Sequence, residues 1–138
     1  MIVTEKISIH TNGDGDIIDI TSEVERKVSS AGIECGTVTV FISGSTAGVT
    51  TIEYEPGVVG DFKAMWDRLV PRNIQYGHDQ RWGDGNGYSH VRASTLGPSL
   101  TVPFSNRALL LGTWQQIIVV DFDNRPRSRE IVLQIMGE

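Results

Sequence analysis

The chain is poor in several things, and each shortage excludes something. One cysteine, Cys35, stands among 138 residues, so no disulfide can form within the chain and a disulfide-stapled secreted scaffold is excluded. That cysteine usage fits a reducing compartment, and a cytoplasmic location is expected. Basic runs are missing as well: 12 Lys and Arg face 17 Asp and Glu, and the net charge of -5 lacks the electrostatic footprint of a nucleic-acid binder. Long apolar runs are also lacking, because "ALLLGTWQQIIVV" from Ala108 is broken by Gly, Thr and Gln and is too short to span a bilayer. The start, "MIVTEKISIHTNGDGDIIDI", has no cationic segment leading into an apolar stretch, so neither a signal nor a transit peptide is expected there. Small-molecule chemistry, with neither nucleic acid nor membrane as partner, is the class that remains.

What is present suits one domain over residues 1–138, long enough to bury a core without a disulfide or a structural metal. "VTEKISIHT" reads as a first strand ending in the turn "NGDGD". A short helix then opens at Thr21 and Ser22, where Ser22 and Glu25 have capping-box spacing, Val24, Val28 and Ala31 share a face, and Gly32 supplies the stop. "GTVTVFIS" sets Val38, Val40 and Ile42 on one side of a strand, and "VTTIEYE" reads as the next strand after the small-residue turn "GSTAG". Val59, Phe62, Trp66 and Leu69 are spaced for one face of a second helix over 57–69, limited by Pro71. "VRASTL" is helical or extended, and a strand follows at Ser99–Val102. The end, "ALLLGTWQQIIVVDF", "NRPRS" and "REIVLQIMGE", reads as β-structure turning through a hairpin. The expected class is α+β: largely antiparallel, sandwich-like sheets with two main helices.

The most suggestive stretch is "QYGHDQRWGDGNGYSH", which carries two of the three histidines, His78 and His90, across glycine-rich sequence. Their spacing matches no zinc signature, so the pair can hydrogen-bond a loop or supply two ligands to a divalent ion such as zinc or magnesium. A third ligand would come from Glu53, Glu55 or Asp61. Glu53 and Glu55 leave the same face of the expected strand about 6.6 Å apart, close enough for repulsion to raise one pKa if they are sheltered. Arg125, Arg127 and Arg129 recur every second residue, so an extended segment would present forked donors to phosphate or simply blunt an edge with charge. Ser45 and Thr46 in "GSTAG" can donate to an anion, although the segment lacks the lysine and spacing of a P-loop. Cys35 is expected to be packed and inert.

Together, "STAGVTTIEYEPG", Asp61, "RLVP", "YGHD", "GNGYSHVRASTLGPSLTVPF", "LGTWQQI" and the final "GE" resemble the YjbQ-like family, described as secondary thiamine-phosphate synthase enzymes, over nearly the whole chain. The resemblance implies an α+β protomer assembled as a homotrimer with a site near subunit boundaries. It implies a reaction that joins a pyrimidine diphosphate to a thiazole phosphate and releases pyrophosphate. A metal-assisted hydrolase and a non-catalytic metal- or small-molecule-binding trimer are the alternatives. Under the family reading His78, His90 and Glu53 are catalytic, and His78 and His90 also ligate metal. Ser45, Thr46, Asp61, Gln115, Arg127 and Arg129 then bind a phosphorylated substrate. Relatives often carry "HTTA" or "HSTA" where this chain has "GSTA", so Gly44 removes one imidazole, and Gly44→His is expected to restore a metal ligand if position 44 faces the histidines.

Overall fold

The computed structural model describes residues 1–138. Five strands, β1 (Ile2–Thr11), β3 (Gly36–Ile42), β5 (Ser99–Ser105), β6 (Ala108–Leu109) and β8 (Arg127–Gly137), form one sheet in the order β1-β8-β3-β5-β6. A second sheet has the order β2-β7-β4, from β2 (Asp16–Asp19), β7 (Gln116–Asp121) and β4 (Ala47–Ile52). Every pairing in both sheets is antiparallel. Four helices complete the chain: α1 (Thr21–Ser30), α2 (Pro56–Leu69), α3 (Gly77–Trp82) and α4 (Gly87–Leu96).

The expected α+β sandwich is therefore present, and strand β7 explains its layering. "QIIVVD" is a continuous apolar run because the strand is buried on both sides. Ile117 and Val119 join Val38, Val40, Ile131 and Leu133 in the core between the sheets, which α1 closes with Val24 and Val28. Ile118, Val120 and Phe122 face the other way, into a second core with Trp66 of α2 and Tyr88 of α4. By the same alternation Asp121 and Asp123 lie on the inter-sheet side, and both are fully buried.

Several local expectations need correction. The stretch Gln75–His90 is not a loop: it holds α3 and the start of α4. "NRPRS" is not a hairpin turn, because β7 and β8 belong to different sheets and the segment crosses between them. Strand β4 stops at Ile52, so Glu53 and Glu55 are not neighbours on a strand face. Glu55 instead caps α2, its carboxylate accepting from the amides of Gly57 and Val58. Ser22 makes no capping bond; Asp19 receives the amide and hydroxyl of Thr21 at the mouth of α1, which starts two residues earlier than a Ser22 cap requires. Leu69 is exposed and Val70 takes its place in the core, since the last turn of α2 loosens before Pro71. Cys35 is exposed rather than packed.

Candidate functional site

Helices α3 and α4 meet at a glycine. A Cβ on Gly87 would lie 2.6 Å from Tyr76 Cβ and 3.1 Å from Asp79 Oδ1, so no larger residue fits without moving the helices apart. The Gly87 amide donates to Asp79 Oδ1 at 2.8 Å, locking the start of α4 onto α3. This contact brings His78 of α3 beside His90 of α4, with ring centroids 4.3 Å apart and the planes tilted by 35°. The two sequence-predicted histidines thus converge through a helix pair. The third, His10, stands apart on β1 with Nδ1 3.0 Å from the Ser128 hydroxyl.

The carboxylates nearest His78 are not the expected ones. Asp84 Oδ1 lies 3.3 Å and Asp79 Oδ1 3.6 Å from His78 Nδ1. That nitrogen is buried and has no hydrogen-bond partner of acceptable geometry. One ligand atom from each of His78, Asp79 and Asp84 fits within a 4.8 Å span. Two ligands each about 2.1 Å from a tetrahedral ion stand about 3.4 Å apart, so the two separations from His78 Nδ1 match edges of a coordination polyhedron, while the two aspartates are bounded only by the wider span. A nitrogen with two carboxylate oxygens suits zinc, and the oxygens suit magnesium. Burial lowers the His90 pKa and the adjacent His78 adds to the effect, outweighing the acids around it, so His90 is neutral at pH 7.

A second polar cluster adjoins the first. Asn86, directly before α4, accepts from the His90 amide through its backbone carbonyl and donates through Nδ2 to Asp123 Oδ1 at 3.2 Å. Asp123 also receives Thr46 Oγ1 at 3.1 Å and Arg127 Nε at 2.7 Å. Burial pushes the Asp123 carboxyl up, but bonds from Asn86, the Asn124 amide, Arg127 and Thr46 together hold it at about 2. Asp121 takes a bidentate pair from Arg129, 2.8 Å to each oxygen, plus the Thr11 hydroxyl at 2.6 Å, and against the cost of its burial these hold its pKa below the ordinary value. Arg129 Nη2 continues to Thr46 Oγ1 at 2.6 Å.

The predicted binding residues divide accordingly. Thr46, Arg127 and Arg129 share the aspartate network that reaches His90 through Asn86. Ser45 is exposed beside it. Glu53 and Gln115 line a different, open depression with Thr51 and Trp114, and Gln115 braces its own turn by accepting from the Gly112 amide and donating to Thr51. Asp61 is exposed on α2. Arg125 is exposed while Arg127 is half-buried and Arg129 buried, so the three do not form one clamp. Gly44 has φ of +126°, a region that favours glycine, and a Cβ there would sit 2.8 Å from Arg129 Nη1; its nearest neighbour is that guanidinium, not an imidazole.

Sequence reasoning missed Asp79, Asp84, Asn86, Asp121 and Asp123. A signal existed for two of them: in "IIVVDFDN" the acids fall on the positions that continue the buried Ile117 and Val119 face, where only paired carboxylates are tolerated.

Fold and site define a class: a two-sheet α+β protein with a histidine–carboxylate cluster mounted on a helix pair. The chain belongs to the UPF0047 protein YjbQ-like family, whose model matches residues 5–138. It is 36% identical to a UPF0047 protein of Methanothermobacter thermautotrophicus over 137 residues, covering 99% of this chain and 94% of that one. The UPF0047 protein YugU of Bacillus subtilis is 35% identical over 132 residues, covering 95% and 97%. A crystal structure of a YbjQ-like protein of unknown function from Sulfolobus solfataricus P2 superposes with a TM-score of 0.94 at 29% identity, covering 100% of this chain and 99% of that one. No helix is long and apolar enough to cross a membrane.

Proposed function

We propose that the chain is a divalent-metal-assisted enzyme of phosphorylated small molecules, with His78, Asp79 and Asp84 holding the ion. The observation that carries this reading is the buried, unpartnered Nδ1 of His78 facing two carboxylates at ligand spacing. A buried donor or acceptor without a partner costs about 1–3 kcal/mol, and an ion would relieve it. When bound, such an ion supplies positive charge against phosphate oxygens.

The specific reaction we assign is the thiamine-phosphate synthase type. A thiazole nitrogen forms a bond to the pyrimidine methylene carbon, the carbon–oxygen bond to diphosphate breaks, and pyrophosphate leaves with the electron pair. No proton need move, so the chain's contribution is positioning and charge. Arg127 and Arg129 bind their aspartates through Nε and Nη2, and each keeps Nη1 without a partner in the chain, available to phosphate oxygen. Ser45 adds an exposed hydroxyl.

Neutral His90 favours a second reading, a hydrolase in which His90 accepts a proton from an attacking water. Exposed Leu110 and Trp114 support a homotrimer, since apolar surface of that kind is what subunit contacts cover. A cytoplasmic setting suits an exposed, reduced Cys35.

Calorimetric titration with zinc and with magnesium tests the metal reading, with saturable binding expected and lost in His78→Ala. Absence of binding by the folded chain overturns it. Product analysis with and without chelator then separates the transferase, which yields a coupled product and pyrophosphate, from the hydrolase, which yields only cleavage products. Light scattering that returns a monomer mass would refute the trimer.

A further inference from the structure

A second cavity lies on the opposite side of β7 from the aspartate network, under α2. It measures about 190 Å³ and contains neither histidine nor any residue of the cluster on α3. One wall is apolar, made by Ile17, Phe62, Trp66, Val120 and Phe122. Trp66 packs edge-on against Phe122, with centroids 5.1 Å apart, and also against Phe62 at 5.9 Å. An apolar cavity of about 150 Å³ is large enough for benzene, so this one has room for a single ring and a small polar group.

The remaining lining is charged, and the charges do not balance. Asp14 pairs with Arg72 at 3.1 Å and Asp67 with Arg92 at 3.3 Å. Lys63, the third cation of the lining, has no ion pair. One positive charge is left over. Donors are left over too. Arg92 is buried and spends Nε and Nη2 on the Val70 carbonyl and Asp67, leaving Nη1 without a bond in the chain. The indole N–H of Trp66, itself buried within the wall, has no partner either. The unpaired Lys63 ammonium and the free Arg92 Nη1 are therefore the donors left for an acceptor group in the hollow, while the Trp66 indole N–H lies within the wall and serves as its reporter.

We propose that this cavity binds a small monocarboxylate with an aromatic or branched apolar body. The body lies against Phe62 and Trp66, and the carboxylate meets Lys63 and Arg92. A single surplus positive charge matches a monoanion better than a phosphate dianion, whose second charge would stand against Asp14 and Asp67. The site is independent of the metal reading above.

The test uses the full chain labelled with nitrogen-15, with the Trp66 indole resonance assigned through Trp66→Phe. Benzoate at millimolar concentrations is expected to shift that resonance saturably, while benzamide, equal in shape and uncharged, and phenyl phosphate bind more weakly. Lys63 is exposed, so Lys63→Met leaves the fold intact, and it should weaken benzoate by about tenfold, the loss of one charge-assisted contact. His78→Ala should leave benzoate binding unchanged, which separates this site from the metal site. The proposal fails if benzoate gives no saturable shift, if benzamide or phenyl phosphate binds as well, or if Lys63→Met binds benzoate like the parent.

Discussion

Two acidic clusters, joined through Asn86, are built in opposite ways. Around Asp121 and Asp123 every carboxylate oxygen has a donor, and Arg129 is itself braced by Thr46. Around His78 a buried nitrogen faces Asp79 and Asp84 without completing a hydrogen bond. The carboxylates of the first arrangement are fully paired and link the two sheets, leaving Asn86 Oδ1 and the outer Nη1 of each arginine as its only free atoms. The second is left open, and it is there that the proposed ion would complete the arrangement. Charge density alone does not separate the two clusters; the pairing of their charged groups does.

The largest effect expected from breaking this contrast lies on the paired side. Asp121→Ala would strand the Arg129 guanidinium in a buried position, and removing one partner of such a pair costs about 3–5 kcal/mol. Denaturant unfolding should show a loss of this size. A loss below about 1 kcal/mol would mean that water reaches Arg129 freely.

Acid provides the next effect. The Asp123 carboxyl is held at about 2, below its ordinary value of 3.8, so its stabilising contribution is fully present above pH 4 and is lost as pH falls toward 2. The difference corresponds to about 2 kcal/mol. Asp123→Asn should flatten the stability profile between pH 4 and pH 2 relative to the parent, as read by urea midpoints along the series. A profile of unchanged slope would assign the acid sensitivity elsewhere.

On the open side the expected stability effect is far smaller and the ligand effect larger. His78→Ala removes an orphaned buried nitrogen together with the ring packed on His90, and the relief of the one offsets the loss of the other, so the melting temperature should stay nearly constant. Zinc affinity should fall by at least about tenfold, because losing a ligand costs no less than losing a group that merely orients one. Equal losses in stability and in affinity would make His78 a packing residue and erase the distinction between the clusters.

How much of this was legible in the sequence depends on whether a residue's role is local. Alternation placed Val38, Val40 and Ile42 in the core, and the spacing of Val59, Phe62 and Trp66 found the packing face of α2, because both signals are periodic within one element. The histidines were legible as candidates. Asp79 and Asp84 were not, since a carboxylate becomes a neighbour of His78 only once α3 has turned and stopped at Gly83. Glu53 and Gln115 were grouped with the histidines, and the chain sends them to a separate depression, because β4 ends at Ile52 and turns away. The glycine-rich run from Gln75 hid two helices, since Gly77 and Gly87 occupy helix starts, where glycine costs little, rather than turn centres.

The smallest expected effect concerns the two helix starts, where the sequence pattern and the structure part most clearly. Ser22 and Glu25 have capping-box spacing, yet the helix begins at Thr21, two residues too early for Ser22 to be the cap, and the Ser22 side chain makes no bond there. Glu55 has no such signature and does cap, taking the amides of Gly57 and Val58 before Pro56 fixes the first turn of α2. Ser22→Ala should therefore change stability by less than about 0.5 kcal/mol, the ordinary range for a surface position. Glu55→Ala should cost about 1 kcal/mol, the usual loss for a cap that satisfies orphan amides. Because Glu55 also fixes where α2 sits over β7, it should loosen the Trp66 packing and shift the indole resonance as well. If Ser22→Ala proves the costlier change, α1 starts at a Ser22 cap in solution and the Asp19 to Thr21 bonds do not define its first turn.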